Sequence, residues 1–238
     1  MIPSFSFPLN QLKSTSLGLL LALAGSITVP GLQAEEAAPV ELCALQKTKA
    51  PITEDGVLIY KDIWYKTKCT EGVEPEPYEK ERCMADIYLP AGKKDFPLVV
   101  WFHGGGLTGG DKAKDGNPEV AKFWAQEGVG VMIANYRLSP KVKYPTYLQD
   151  GAAAVAWARD NIPAADRTRL FVGGHSAGAY MALMIGMDKK LLEEAGLKRE
   201  DIAGLIPVSG QTMTHFTVRH EQGLPKERTI VDEAAPVY

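Results

Sequence analysis

Twelve residues, Arg169 to Tyr180 (RLFVGGHSAGAY), restrict what this chain can fold into more than any other stretch. Leu170-Phe171-Val172 is a short apolar, β-prone run; Gly173 and Gly174 follow, and Ala177 to Met184 reads as the start of a helix. Ser176 stands between Gly174 and Gly178 in a G-x-S-x-G pattern. A serine on so sharp a strand-to-helix turn leaves room only for glycine beside it, because a Cβ there would meet packed backbone. The turn lifts the serine oxygen into open space, above the free N–H groups of a helix N-terminus.

Such a turn needs a sheet behind it, and the chain supplies the strands. Val57 to Lys66 and Arg82 to Leu89 are strand candidates, separated by a Glu/Pro-rich turn from Glu71 to Glu81. Pro97 to Phe102 and Val129 to Ala134 are continuous apolar runs of the kind found in strands buried on both faces, and Ile202 to Val208 adds another. Helices are expected at Pro118–Gln126 and Tyr147–Asn161. This alternation predicts an α/β fold, a mostly parallel sheet with helices on both faces. With 45% hydrophobic and 23% charged residues the chain can bury a full core, and a net charge of −3 without a basic run excludes a nucleic-acid surface.

The first 34 residues have a different character. Lys13 is the only charge before Glu35, Leu17 to Val29 is apolar, and Pro30-Gly31 break the run ahead of Ala34. That run is shorter than the ~20 residues a membrane span requires, so residues 1–34 read as a Sec-type signal peptide. The mature chain is then expected in the periplasm or outside the cell, with no stable membrane anchor after cleavage. Residues 35–56 read as a flexible leader and 57–238 as the folded domain. Cys69 and Cys83 flank the Glu/Pro-rich turn, so a cross-strand disulfide and unpaired thiols both fit. With Cys43 they lack metal-ligand spacing, so no metal is expected.

A second motif, His103-Gly104-Gly105-Gly106, directly follows the buried strand ending at Phe102. Consecutive glycines let backbone amides turn toward a ligand, and amides aimed at a developing oxyanion stabilise acyl transfer. Two motifs in this order, each on a strand end, point to an acyl-transfer site with Ser176 as the nucleophile. It needs no metal or organic cofactor.

HGGG, then YRLSP (136–140) with Tyr144-Pro145 and Asp150, then GGHSAG (173–178), resembles the hormone-sensitive-lipase-like and acetyl-esterase branch of the α/β-hydrolases, and also bacterial feruloyl esterases and arylformamidases. The resemblance implies a carboxylesterase acting through a seryl acyl-enzyme on a small-molecule or saccharide-linked ester. It implies Gly105, Gly106 and Ala177 as oxyanion-hole donors and His103 as a loop-holding residue rather than a base. Arg137 and Asp150 match polar structural positions of that family. They either pair beneath the glycine loop and support it or stand as two solvated charges.

The base is the open element. In this fold the triad runs Ser, then Asp or Glu, then His, and the histidines after Ser176 are His215 and His220. Both follow the strand at 202–208 at once, where the family's acid and histidine come two strands later. His175 lies sideways in the turn. The triad acid and histidine are therefore expected to be missing from this chain, whose sheet would lack its last strands. One reading is a C-terminally truncated esterase, inactive or weakly active as it stands; the alternative is a non-catalytic α/β-hydrolase-like binding protein, and a triad through His215 is a minor third. Oligomeric state is not legible.

Overall fold

The computed structural model describes residues 50–66, 76–225 and 227–238. The signal-peptide segment, Cys43, Cys69 and most of the leader lie outside the described residues. The leader's last residues form strand β1, Ile52–Glu54, which hairpins onto β2, Val57–Trp64. Asp55 and Gly56 between them both have left-handed φ (48° and 76°), the two-residue turn whose twist matches antiparallel strands.

The stretch read as a turn before Cys83 contains a helix, α1, Pro77–Arg82. Its signals are local: Glu76 accepts hydrogen bonds from the N–H groups of Tyr78 and Glu79, and Pro77 fills the first helical position. Cys83 closes the helix through its N–H to Glu79 O (2.8 Å) and is fully buried, its thiol free. Burial pushes that thiol up to about 12.

Strands β3 (Met84–Pro90), β4 (Phe96–Phe102), β5 (Gly130–Ala134), β6 (Ala165–His175) and β7 (Gly204–Val208) complete a seven-stranded sheet in the order β1-β2-β3-β5-β4-β6-β7. The four strands β5, β4, β6 and β7 are parallel, and β1, β2 and β3 join them antiparallel. The sheet is thus mixed, with its parallel half carrying the crossover helices. Helix α2 (Asn117–Gln126) covers one face; α3 (Thr146–Asn161), α4 (Ala177–Met187) and α5 (Lys189–Glu194) lie on the other. The strands sort their side chains with period two. Leu98, Val100, Phe102, Met132 and Ala134 face α3 and α4, while Val131 and Ile133 pack with Ala121 and Ala125 of α2. A short helix, α6 (Phe216–Glu221), follows β7. Among the described residues no helix is long and apolar enough to cross a membrane.

Candidate active site

β6 ends at His175 and α4 begins at Ala177, so Ser176 occupies the bend alone, at φ 54° and ψ −115°. A non-glycine residue in that region is strained by about 1–3 kcal/mol and stays there only where its surroundings impose it. Here they do: Ser176 N–H donates to Val208 O (2.8 Å), and Ser176 O accepts from Tyr180 N–H (3.1 Å). The hydroxyl makes no capping bond to α4 and no other bond within the described residues, and Ser176 is half-buried.

The flanking glycines are fixed by close approach. A Cβ on Gly178 would lie 2.1 Å from Phe102 O and 2.8 Å from His103 O; one on Gly174 would lie 2.5 Å from Gly178 carbonyl atoms. The bend therefore packs backbone to backbone against the end of β4, which is what brings the HGGG loop to it. A Cβ on Gly104 would sit 3.5 Å from Ser176 Cβ. Gly105 and Gly106 follow with φ of 116° and 64°, left-handed values that glycine adopts at the least cost. Gly105 O is drawn into a turn that accepts the N–H groups of Thr108 (3.1 Å) and Gly109 (3.0 Å). The N–H groups of Gly105, Gly106 and Ala177 have no acceptor among the described residues.

His103 is buried and holds the loop from below. Nδ1–H donates to Gly104 O (2.7 Å), leaving Nε2 as acceptor toward Arg82 (3.4 Å), and the ring stacks on Tyr136 at 4.5 Å. Burial drives its pKa down to about 4, the Arg82 charge adding to the effect, so the ring is neutral. Arg82 is a hub that the sequence did not reveal. It donates to Tyr136 O, to Gly110 O and to Asp111 and reaches His103 Nε2, tying the end of α1 to both ends of the loop. Asn135 adds to this, accepting from Lys112 N–H (2.6 Å) and donating to Asp111 (2.9 Å). Lys112 in turn reaches the buried Asp86 at 2.7 Å. No spacing rule exposes these residues, since their partners lie on other elements.

Arg137 and Asp150 pair through two parallel bonds (Nε to Oδ2, 2.9 Å; an Nη to Oδ1, 2.8 Å). Asp150, fully buried, also accepts from Lys66 (2.9 Å) and from Arg137 N–H (3.2 Å). The pair lies one segment from the loop. It fixes the run from Tyr136 to Ser139, and that run touches the loop through Tyr136 O–H to His103 O (2.9 Å) and Ser139 N–H to Leu107 O (2.9 Å).

His215 is also buried. Its Nδ1 accepts from Thr217 N–H (3.2 Å), and burial lowers its pKa to about 4. In the neutral ring Nε2 then carries the proton, so neither nitrogen offers a lone pair to a serine hydroxyl. His175 and His220 are exposed. Among the described residues no histidine is hydrogen-bonded to a carboxylate, and no group of three His, Cys, Asp or Glu side chains is placed to hold a metal ion.

Comparison with known proteins adds a family. The BD-FAE profile matches residues 85–230. A probable carboxylesterase 6 of Arabidopsis thaliana is 32% identical over 143 residues, covering 55% of this chain and 43% of that protein. Esterase LipI of Mycobacterium tuberculosis is 36% identical over 149 residues, 58% of this chain and 41% of that one. The chain thus spans less than half the length of these relatives. Among solved structures, esterase B from Lactobacillus rhamnosis superposes with a TM-score of 0.54 at 23% identity, over 69% of this chain and 51% of that one, a likeness of fold.

Proposed function

Because the chain belongs to the BD-FAE family and has an α/β-hydrolase fold, we propose that it is a carboxylesterase-type serine hydrolase with Ser176 as its nucleophile. One observation carries the reading. A serine hydroxyl at a strained bend, without a partner among the described residues, stands beside a glycine loop, and the N–H groups of Gly105, Gly106 and Ala177, likewise without an acceptor among those residues, are close by in sequence and fold. In the reaction the serine oxygen bonds to the ester carbonyl carbon, and the carbonyl oxygen becomes an oxyanion received by those three amides. Collapse of the adduct breaks the bond to the alcohol oxygen, which leaves with the proton the serine hydroxyl gave up, carried across by solvent; water then attacks the acyl carbon, and the acid departs as a proton returns to the serine oxygen. His103, Arg82 and the Arg137–Asp150 pair hold the loop in place.

The substrate is a small-molecule ester, including acyl groups carried on saccharides, and residues 1–34 direct the chain to the periplasm or the exterior. The second reading, a binding protein that keeps the pocket without turnover, draws on His215, whose lone pair is already engaged. One experiment separates the two. With p-nitrophenyl acetate the chain is expected to release about one equivalent of nitrophenolate, at roughly 10³–10⁴ times the buffer rate even without an oriented base. Ser176→Ala should remove the one-equivalent burst, leaving only the slow release that backbone donors and binding support without a nucleophile. An equal burst, or no burst, from both proteins would remove the nucleophile and leave the binding reading standing.

A further inference from the structure

Beside the glycine loop stands a side chain the reaction does not use. Phe216, at the start of α6, is 38% exposed, yet its ring tip reaches the loop: a Cβ on Gly106 would meet Phe216 Cζ at 3.0 Å. The next residue fastens the same spot, as the Thr217 hydroxyl donates to Gly106 O. Behind Phe216 the rings continue inward, with His215 at 4.2 Å between centroids and Tyr180 at 5.1 Å beyond His215. Tyr180 is one helical turn past Ser176, bonded to its carbonyl, and its hydroxyl donates to Ala234 O (2.8 Å). A column of three rings thus runs from the helix behind the serine to the outer lip of the loop.

The Phe216 ring is backed on its inner side by the buried His215. The two ends of the loop also differ in character. At the Gly104 end lies the exposed, polar His175, its Nδ1 3.2 Å from where a Gly104 Cβ would be; at the Gly106 end lies the Phe216 ring. A departing alcohol oxygen needs a proton and a way out, which suits the polar, open end. An acyl tail gains from apolar cover, which suits the end at Phe216. We infer that Phe216 is a specificity-determining residue, a wall that limits the length of the acyl chain lying beside Gly106. The inference rests on the reading of Ser176 as nucleophile and deepens it.

The test needs no turnover. The protein is titrated with acetate, butyrate and octanoate while the Gly105 and Gly106 amide resonances are followed by NMR. In the wild type octanoate is expected to bind no more tightly than acetate. In Phe216→Ala the octanoate-to-acetate affinity ratio should rise about tenfold or more, the scale on which apolar pockets discriminate chain length. An unchanged ratio, or amides that respond to none of the three acids, overturns the wall. Should the alanine variant not fold, Phe216→Leu, which shortens the side chain but keeps apolar cover, carries the same comparison with the same two outcomes. Repeating the titration in Ser176→Ala keeps the hypotheses apart. A length effect that persists there while the nitrophenolate release proves independent of Ser176 retains the wall and discards the nucleophile.

Discussion

Asp150→Ala is expected to lower the stability of the folded protein by about 3 kcal/mol, at the lower end of the ~3–5 kcal/mol that follows when one member of a buried ion pair is removed. The carboxylate is wholly buried and receives bonds from the Arg137 side chain, from Arg137 N–H and from Lys66. The lower end applies because the stranded cations have another partner: Glu79 lies 3.3 Å from Arg137 and 3.8 Å from Lys66. For a domain of this size the loss corresponds to a melting temperature lower by roughly 6–12 °C. Arg137→Ala combined with Asp150→Ala should cost less than the two single effects added, by about 1–3 kcal/mol. Strict additivity in urea unfolding would show that the two side chains act independently.

The same carboxylate gives the effect a pH signature. Burial by itself would raise its pKa, but the Arg137 bonds and the Lys66 charge outweigh burial and hold it below the ordinary carboxylate value. Its contribution is therefore whole above the unfolded-chain value of about 3.9 and is lost as pH falls toward the lower native value. The gap between wild type and Asp150→Ala should be constant above about pH 5 and close below about 3.9. Before that, the wild type already weakens. His103 and His215 are held neutral down to about 4 by burial, whereas in the unfolded chain they take up protons near 6.5. Stability should fall from about pH 6.5 to 4, by on the order of 2–3 kcal/mol for each ring. Urea titrations across pH 3–8 check both limbs.

Gly178→Ala is expected to cost about 3 kcal/mol or more, beyond the usual penalty for overpacking. The added carbon would stand 2.1 Å from Phe102 O, 2.6 Å from Phe102 C and 2.8 Å from His103 O, all backbone atoms that no side-chain rotation can clear. The helix would have to back away from β4, carrying Ser176 away from the glycine loop, so the p-nitrophenyl acetate signal should disappear together with the stability. Gly196→Ala serves as the control. Nothing lies within 4 Å of that added Cβ, and only its φ of 73° is unfavourable, a cost of about 1–2 kcal/mol. Equal destabilisation by the two substitutions would show that the close approach at Gly178 does not matter.

Legibility in the sequence followed the range of each interaction. The bend at Ser176, the strands at 97–102 and 130–134 and the helices α2, α3 and α4 are encoded within short windows of apolar periodicity and glycine placement, and they stand within a residue or two of where that pattern puts them. Helix α1 was hidden by prolines and glutamates that read as a turn, although Glu76-Pro77 is a helix-start signal. The direction of β2 and β3 was not readable, since a buried strand looks alike in parallel and antiparallel company. Arg82, Asn135 and Lys112 escaped notice because each acquires its meaning from partners 20 or more residues away. His215 stood in a polar run and gave no sign that it would be lodged between the tilted rings of Tyr180 and Phe216.

Cys83 offers an internal clock. Its sulfur has no solvent exposure, and its proton is retained up to about pH 12, so the reactive thiolate is suppressed twice over while the fold is closed. An alkylating reagent can reach it only when the junction of α1 with β2 and β3 comes apart, and the pace of labelling then counts openings of that corner rather than the reactivity of sulfur. Since Arg82, the residue immediately before it, grips both ends of the glycine loop, the same clock registers how often the scaffolding under the serine lets go.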